Sequence, residues 1–255
     1  MPVRTEVVDE HILLVTIDRP EVHNAMDRDT LDALQAVWQR LRDEPALRVG
    51  VVTGAGDHAF STGADLATLI PELVEGDGPV RAVITLAEME VWKPVIAAIN
   101  GYCLAGALGL ALACDVRIAV PAARFGTMGV RRGIIPGAGQ SQRLPRMVGL
   151  GNALRLLLTG DMVDADEALR IGLVQEVVPA DRLLERALQM ARTVVGNAPL
   201  AVQATKRAAV HGLGMPLQDG LGLEARLSAE VRRTEDAREG VRAFRERREP
   251  RFVGQ

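Results

Sequence analysis

The order of apolar and polar positions along the chain predicts an α/β protein. Val3–Val8 and Ile12–Ile17 fit two paired strands on either side of a short polar turn. Asp27 is a suitable cap for a helix that runs to about Asp43, because apolar residues then recur at helical spacing. The residues on that predicted apolar face are Leu31, Leu34, Val37, Trp38 and Leu41.

Further apolar runs alternate between strand-like and helix-like segments. The predicted elements are strands at 49–53, 95–99 and 116–120, a helix from about 80 to 92, a helix at Gly106–Ala113, and glycine-rich loops at 54–63 and 125–139. Beyond about residue 150 the pattern is helical, with one strand near 173–178. Strands that alternate with helices imply a sheet with parallel pairing.

The segment from Pro94 to Cys114 contains no charged residue and is about as long as a membrane-spanning helix. Asn100 and Gly101 interrupt it with a turn signal, β-branched residues precede them, and Ala, Leu and Gly follow them. We therefore predict a buried strand, a turn and a buried helix rather than a membrane span.

Composition excludes several classes of function. The 255 residues carry a net charge of −3 and only 3% aromatic residues, which argues against nucleic acid as a partner. The four histidines and two cysteines show no metal-ligand spacing, so no metal site is expected. Two cysteines within apolar sequence give no disulfide framework, and the N-terminus is too polar for a signal peptide, so we expect a reducing, cytoplasmic location.

Two glycine-rich turns, at residues 61–66 and 101–109, carry the strongest chemical signal. Each follows strand-like sequence, and the second opens a helix whose first N–H groups lack helical partners. Two such turns can direct two backbone N–H donors at one carbonyl oxygen, as an oxyanion hole does. The alternative is that both are only tight strand-to-helix turns, and spacing alone does not decide between these interpretations.

The chain resembles the crotonase superfamily, which is best known through enoyl-CoA hydratases. The resemblance is carried by residues 19–25, 59–66, 93–101, 113–115, 125–126 and 133–143, and it extends to Phe244 near the C-terminus. It implies an α/β crotonase fold, with a repeated ββα superhelical core at 1–195 and a helical trimerisation region at 196–255. It also implies an acyl-CoA substrate, coenzyme A as part of that substrate, no prosthetic group, and a homotrimer or homohexamer.

The resemblance also assigns roles to individual residues. The thioester oxygen would lie between the backbone amides of Ala64 and Gly106, which would form the oxyanion hole. Residues expected to line coenzyme A are Ala25, Ala64, Asp65, Leu66 and Ala67, with Phe244 and Arg247 reaching coenzyme A bound in a neighbouring subunit. A guanidinium such as that of Arg247 suits a phosphate. Asp65 also has a structural alternative, which is to hold its own loop through side-chain-to-backbone bonds.

The chain departs from the family pattern where hydratases carry two catalytic glutamates. Those positions are Gly109 and Gly129, and the place where some related isomerases and dehalogenases carry an aspartate is Gly137. One hypothesis is that the glycines empty a pocket above the thioester and admit a bulky acyl group. Substitute proton carriers near the site each have a structural or surface alternative: His58, Tyr102, Thr127, Arg131, Arg132, Glu88 and Glu90.

The sequence therefore predicts an enoyl-CoA hydratase/isomerase-type enzyme in which standard two-glutamate hydration is absent or very slow. Thioester hydrolysis or double-bond isomerisation is the first alternative, since an oxyanion hole supports both reactions. A non-catalytic acyl-CoA carrier or sensor is the second alternative.

Overall fold

The computed structural model describes residues 1–65, 67–69 and 86–255, and the strands in these residues form two sheets. The larger sheet has the order β1-β2-β3-β5-β7-β10. Its strands are β1 (Val3–Val8), β2 (Ile12–Ile17), β3 (Val49–Gly54), β5 (Val95–Ile99), β7 (Val116–Ala119) and β10 (Glu176–Val177). Only the β1–β2 pair is antiparallel in this sheet, and every later pair is parallel.

The smaller sheet has the order β4-β6-β8-β9. Its strands are β4 (Ala59–Ser61), β6 (Tyr102–Leu104), β8 (Arg124–Gly126) and β9 (Val163–Asp164). Each of its three parallel strands follows a strand of the larger sheet, so β3 leads to β4, β5 to β6 and β7 to β8. The chain thus repeats one turn of a superhelix three times, with a long strand and a short strand in each turn.

Helices surround these sheets. They are α1 (Arg28–Asp43), α2 (Gly106–Ala113), α3 (Gln140–Val148), α4 (Leu150–Thr159), α5 (Ala165–Arg170), α6 (Leu183–Val195), α7 (Pro199–Gly212), α8 (Leu217–Val231) and α9 (Glu235–Glu246). The core consists mainly of buried Val, Ile, Leu and Ala from the larger sheet and from the helices that cover it. A continuous apolar strand such as β5, buried at every position, is typical of a parallel sheet covered on both faces.

The capped helix predicted near the N-terminus is confirmed as α1. The Asp27 carboxylate accepts a hydrogen bond from the Thr30 amide at 2.9 Å, and the apolar face of the helix is buried. Burial raises the pKa of Asp27, but the hydrogen bonds from Thr30 and the charge of Arg19 outweigh burial and hold that pKa below its usual value.

The uncharged segment that begins at Pro94 folds as predicted into a buried strand and a buried helix, β5 and α2. A short strand, β6, lies between them instead of a simple turn. Within the described part of the chain, no helix has the length and apolar character needed to cross a membrane.

The parallel α/β fold is confirmed, whereas several local predictions are not. The segments around β4, β6 and β8 were expected as loops or turns, and β9 was not predicted. The helix predicted from about 80 to 92 lies largely outside the described residues, and its end is wrong because residues 86–90 form turns. The strand expected near 173–178 is confirmed in shorter form as β10.

The helices after residue 196 contact the rest of the chain through polar and aromatic contacts. Helix α7 has no fully buried residue, but its Lys206 side chain pairs with the Asp115 carboxylate at 2.8 Å. The last residues fold back on α9, where the Asp236 carboxylate accepts hydrogen bonds from the amides of Val253 and Gly254.

Candidate active site

The two glycine-rich turns touch each other at Gly63. This residue has a φ of +93°, and a Cβ on it would lie 2.8 Å from both the Gly106 nitrogen and the Leu104 carbonyl oxygen. Ala105, which precedes α2, also has an unusual backbone conformation, with φ 49° and ψ −123°. Sparsely populated backbone conformations of this kind cluster at functional sites. Only glycine at position 63 allows the two turns to approach this closely.

This approach brings two unpaired backbone donors together. Met26 and Ala64 form an isolated parallel bridge in which the Met26 amide bonds to the Gly63 carbonyl and the Asp65 amide to the Met26 carbonyl. The Ala64 N–H takes no part in the bridge. Gly106 is the first residue of α2, and a Cβ on it would lie 3.6 Å from the Ala64 nitrogen. Within the described residues, neither N–H donates to another group. The two donors can therefore hold one carbonyl oxygen between them.

Arg19 connects the two segments that the resemblance assigns to coenzyme A. Its Nη1 atom lies 2.6 Å from the Ala25 carbonyl oxygen, 3.1 Å from the Asp27 carboxylate and 3.3 Å from the Asp65 carboxylate. The other Asp65 oxygen accepts the Ala67 amide at 3.0 Å. Asp65 thus holds its own loop, as the structural alternative predicts.

A buried asparagine, Asn24, holds in place the segment that carries Ala25. Asn24 is fully buried, and its side-chain amide donates to the carbonyl oxygens of Ala55 at 2.9 Å and Ala59 at 2.7 Å. Its side-chain oxygen accepts the Arg19 amide at 3.0 Å. These bonds tie the segment that carries Ala25 to the beginning of β4.

The structure brings together Ala25, Ala64, Asp65 and Ala67, but not every predicted site residue. Leu66 lies outside the described residues. Phe244 is 85% exposed and Arg247 ends α9 with a φ of 54°. No hydrogen bond or ion pair between described residues joins either of these two to the group around Ala64.

The space above the two substituted positions is occupied, so the hypothesis that the glycines empty a pocket there is wrong. A Cβ on Gly109 would lie 2.5 Å from the Ala138 Cβ and 2.7 Å from the Ala138 carbonyl oxygen. A Cβ on Gly129 would lie 2.9 Å from the Ile134 carbonyl oxygen and 3.0 Å from the Pro136 nitrogen. We call residues 134–138 the covering segment, because they fill the space in which glutamate side chains would begin.

Gly137 differs from these two glycines. A Cβ on it would meet nothing within 4 Å, and its φ is not in the left-handed region. Of the three glycines at acid or base positions of the family, Gly109 and Gly129 are thus required by packing, whereas Gly137 is not.

The substitute proton carriers considered above have structural or solvent-exposed positions. The His58 side chain is 79% exposed, and Tyr102 is 41% exposed. The Thr127 hydroxyl is buried and donates to the Leu156 carbonyl, while Arg131 is held by the carbonyl oxygen of Thr159 and by the carboxylate of Asp161. Glu88, Glu90 and Arg132 are exposed.

The two cysteines are also unsuited to nucleophilic chemistry. Cys103 and Cys114 are both buried and unpaired. Burial raises the pKa of the Cys103 thiol far above its usual value and that of Cys114 to about 12, so neither forms a thiolate at neutral pH.

Comparison with known proteins agrees with the fold. A sequence model of the family described as "Enoyl-CoA hydratase/isomerase" matches residues 8–255. The chain belongs to this family. It is 44% identical over 256 residues to the (E)-benzylidenesuccinyl-CoA hydratase of Thauera aromatica, covering 100% of both chains, and 39% identical over 250 residues to the crotonyl-CoA hydratase of Syntrophomonas wolfei, covering 96% of this chain and 95% of that protein.

Solved structures of the family superpose on nearly the whole chain. The crystal structure of an enoyl-CoA hydratase from Bacillus anthracis has a TM-score of 0.92 and 36% identity, and covers 100% of both chains. That of an enoyl-CoA hydratase/isomerase from Mycobacterium paratuberculosis has a TM-score of 0.93 and 34% identity, with 100% of this chain and 99% of that chain covered. The crotonase fold and an acyl-CoA substrate class follow for this member of the family.

Sequence reasoning assigned no role to three residues that organise this site. Arg19 and Gly63 belong to motifs that carried the resemblance, and their position there was the available signal. Gln140 lies in the last such motif. In the part of the chain that the structure describes, no group of three or more His, Cys, Asp or Glu side chains is placed to hold a metal ion.

Proposed function

We propose that this protein hydrates a 2-enoyl-CoA thioester through the two backbone donors of Ala64 and Gly106, without the two-glutamate mechanism. The observation that carries the proposal is the pair of unpaired, adjacent N–H groups at the contact between the two turns. A hydratase reaction is supported by relatives named as hydratases, one of them 44% identical over the whole chain.

The donors act on the thioester carbonyl. As negative charge develops on its oxygen, two aligned N–H groups stabilise that charge, and removal of one such donor typically costs about 10²–10³ in rate. The oxygen of water bonds to C3, the π electrons between C2 and C3 move towards the thioester oxygen, and one proton of that water is then transferred to C2 as the carbonyl reforms. Neither Gly109 nor Gly129 can supply or accept that proton, so we expect crotonyl-CoA to be hydrated far more slowly than by a two-glutamate enzyme.

Incubation with a panel of acyl-CoAs in ¹⁸O-labelled water tests the proposal. The panel contains straight, branched and aryl-substituted 2-enoyl-CoAs and 3-enoyl-CoAs, and the products are read by mass spectrometry. Label in a 3-hydroxyacyl-CoA supports hydration. Label in a free acid identifies a thioester hydrolase instead, and a shifted double bond without label identifies an isomerase.

A non-catalytic carrier or sensor is the second candidate, because no carboxylate stands at positions 109, 129 or 137. A carrier would retain CoA esters through purification and convert no member of the panel. Turnover of any panel member excludes this candidate.

We propose further that the protein is a homotrimer or homohexamer, in which Phe244 and Arg247 contact coenzyme A bound to a neighbouring subunit. The supports are the exposed Phe244 side chain and the absence of buried residues along α7. A helical oligomerisation region at 196–255, separate from the core at 1–195, belongs to the same proposal. Light scattering coupled to size-exclusion chromatography tests it, and a monomer at micromolar concentration would contradict it.

We also propose that the reaction needs no prosthetic group and takes place in a reducing compartment such as the cytoplasm. The two buried, unpaired cysteines support the second point. Absorbance spectra and metal analysis of the purified, active protein test the first point.

A further inference from the structure

Near positions 109 and 129 a two-glutamate hydratase has two carboxylates, whereas this protein has the covering segment and the polar side chains bonded to it. A Cβ added to Gly109, in α2, would point at this segment, and so would a Cβ added to Gly129, in the turn after β8. Polar side chains that reach the segment are therefore candidates for contact with the acyl chain near C3, where those glutamates would act.

One such side chain is Gln140, the first residue of α3. It is 2% exposed, and its Nε2 atom donates a hydrogen bond to the Gly137 carbonyl oxygen at 2.8 Å. Its Oε1 atom is buried and has no hydrogen-bond partner within the described residues. Buried polar atoms are paired in the great majority of cases, so an unpaired oxygen on a side chain that is bonded to the covering segment calls for a ligand.

The other side chain is Arg143, one turn further along α3. Its Nη1 atom donates to the Ala138 carbonyl oxygen at 3.4 Å, and burial lowers the pKa of the guanidinium. A guanidinium only donates hydrogen bonds, whereas the Gln140 oxygen accepts them. Arg143 therefore supports the backbone of the segment, and Gln140 contributes the acceptor.

We propose that the Gln140 carboxamide oxygen accepts a hydrogen bond from the oxygen substituent at C3, which is the water to be added and then the hydroxyl of the product. This inference rests on the proposed function. A carboxamide takes up no proton at neutral pH, so Gln140 orients the water and does not deprotonate it. One hydrogen of the water remains on the oxygen that bonds to C3 and faces Gln140, and the other proton is transferred to C2.

Access to the Gln140 oxygen requires a small shift of the covering segment. The segment is flanked by Gly133, has Gly137 within it, and neither glycine would bring a Cβ within 4 Å of another group. Ile135, between them, is 77% exposed. Two glycines without close neighbours and an exposed side chain between them leave residues 133–137 room to shift away from Gln140 when the acyl chain enters, while Ala138 keeps its contact with position 109.

The first test measures binding rather than turnover. Calorimetry compares a 3-hydroxyacyl-CoA with the saturated acyl-CoA of equal length, for the unaltered protein and for Gln140→Met, a substitution close in size that has no polar acceptor. We expect the unaltered protein to prefer the hydroxylated ligand by about tenfold and Gln140→Met to lose that preference. Gln142→Met is the matched control, because Gln142 lies on the same helix but is exposed, and it should keep the preference.

A second variant checks that the acceptor matters rather than the packing. Gln140→Glu keeps an acceptor but adds an ionisable group, so its preference for the hydroxylated ligand should fall as pH is lowered through the titration of the new carboxyl. The unaltered protein should show no such pH dependence. A purely structural role for Gln140 would not produce this difference.

Turnover gives an independent reading. In the ¹⁸O assay, Gln140→Met should lower kcat by at least about tenfold while KM changes by less than about threefold, because an interaction with the added water is made as the reaction proceeds. If Gln140→Met keeps both the hydroxyl preference and kcat within twofold of the unaltered protein, the inference is overturned. If the unaltered protein hydrates nothing, the proposed function fails, and the binding preference still decides the role of Gln140.

Discussion

At the scale of single residues, Gly63 lets the backbones of the two donor turns touch directly. Gly63→Ala would place a methyl group 2.8 Å from the Gly106 nitrogen and 3.0 Å from the Ala105 Cβ, at a positive φ. We expect a loss of about 1–3 kcal/mol in the free energy of unfolding and at least a hundredfold loss of thioester turnover, because the two donors are pushed apart. Denaturant unfolding and the ¹⁸O assay measure the two effects.

Gly151→Ala is the matched control for that substitution. Gly151 lies in α4 with ordinary φ and no neighbour within 4 Å of an added Cβ. It should leave turnover unchanged and stabilise the fold by roughly 0.5–1 kcal/mol. Unchanged turnover in Gly63→Ala would contradict the assignment of the oxyanion hole.

The glycines at the positions where the resemblance leads us to expect glutamates give a second prediction. Gly109→Glu should lower the free energy of unfolding by about 1–3 kcal/mol without creating efficient crotonyl-CoA hydration, because its Cβ would meet Ala138 at 2.5 Å. Thermal unfolding and a crotonyl-CoA hydration assay measure the two effects.

Gly137→Asp serves as the comparison, since it also adds a carboxylate but meets nothing within 4 Å. It should unfold within about 0.5 kcal/mol of the unaltered protein. Faster crotonyl-CoA hydration by a fully stable Gly109→Glu protein would show that Ala138 yields easily to a side chain at position 109, against this interpretation.

At the scale of elements, sequence reasoning found the long segments and missed the short ones. The apolar runs of β2 and β5 and the apolar face of α1 extend over enough residues to show a period or a continuous run. Strands β4, β6 and β8 have three residues each, too few to show alternation, and they pair only because β3, β5 and β7 place them side by side. Those short strands hold both donor turns, so the geometry of the site was the part least visible in the sequence.

The same limit applies to the packing above Gly109 and Gly129. The resemblance indicates which carboxylates are missing, but the covering segment that packs against these positions approaches Gly109 from almost thirty residues away. Such a contact depends on how α2 and α3 pack, and no local pattern encodes it. The resemblance therefore predicted where the chemistry should be, while the structure was needed to correct what occupies that space.

A third prediction concerns the element that closes the chain, helix α9 with the tail that follows it. The Glu239 carboxylate accepts hydrogen bonds from Arg248 at 2.6 Å and from the Arg251 amide at 2.9 Å, and it also pairs with Arg242. The bond to Arg248 is the main reason that the pKa of Glu239 is held well below its usual value. The stabilisation is therefore complete above about pH 4.5, the unfolded value, and is lost as pH falls towards the lower pKa of the folded state.

Denaturant unfolding of Glu239→Gln at several pH values checks this direction of the pH dependence of stability. The variant should be less stable than the unaltered protein at pH 7, and the difference should shrink as pH falls below about 4.5. Glu249→Gln is the control, because Glu249 is exposed and its substitution should have little effect at any pH. A difference that is the same at pH 7 and pH 3 would contradict the ionic role of Glu239.

At the scale of the whole molecule, the proposed oligomer would bring Arg247 of one subunit to the coenzyme A end of the site in its neighbour. We predict that Arg247→Gln raises the KM for a CoA thioester about three- to tenfold but leaves that for the matching pantetheine thioester unchanged, since only the former carries the nucleotide phosphates. The effect should decrease at high salt. Arg245→Gln, an exposed arginine on the same helix, is the control. Equal effects on both thioesters would place Arg247 away from the phosphates.

The repeated superhelix has a consequence for how such sites diverge. Ala64 and Gly106 each stand shortly after one of two hydrogen-bonded strands, β4 and β6, whose separation of about 4.8 Å is a constant of β-structure. The backbone hydrogen bonds between β4 and β6 therefore fix the distance between the two donors, and no side chain is needed for it. If these donors bind the thioester as proposed, side chains around the acyl group, such as those at positions 109 and 129, can be exchanged while thioester binding is preserved. A scaffold of this kind can be given new reactions by changing residues on α2, α3 and the covering segment alone.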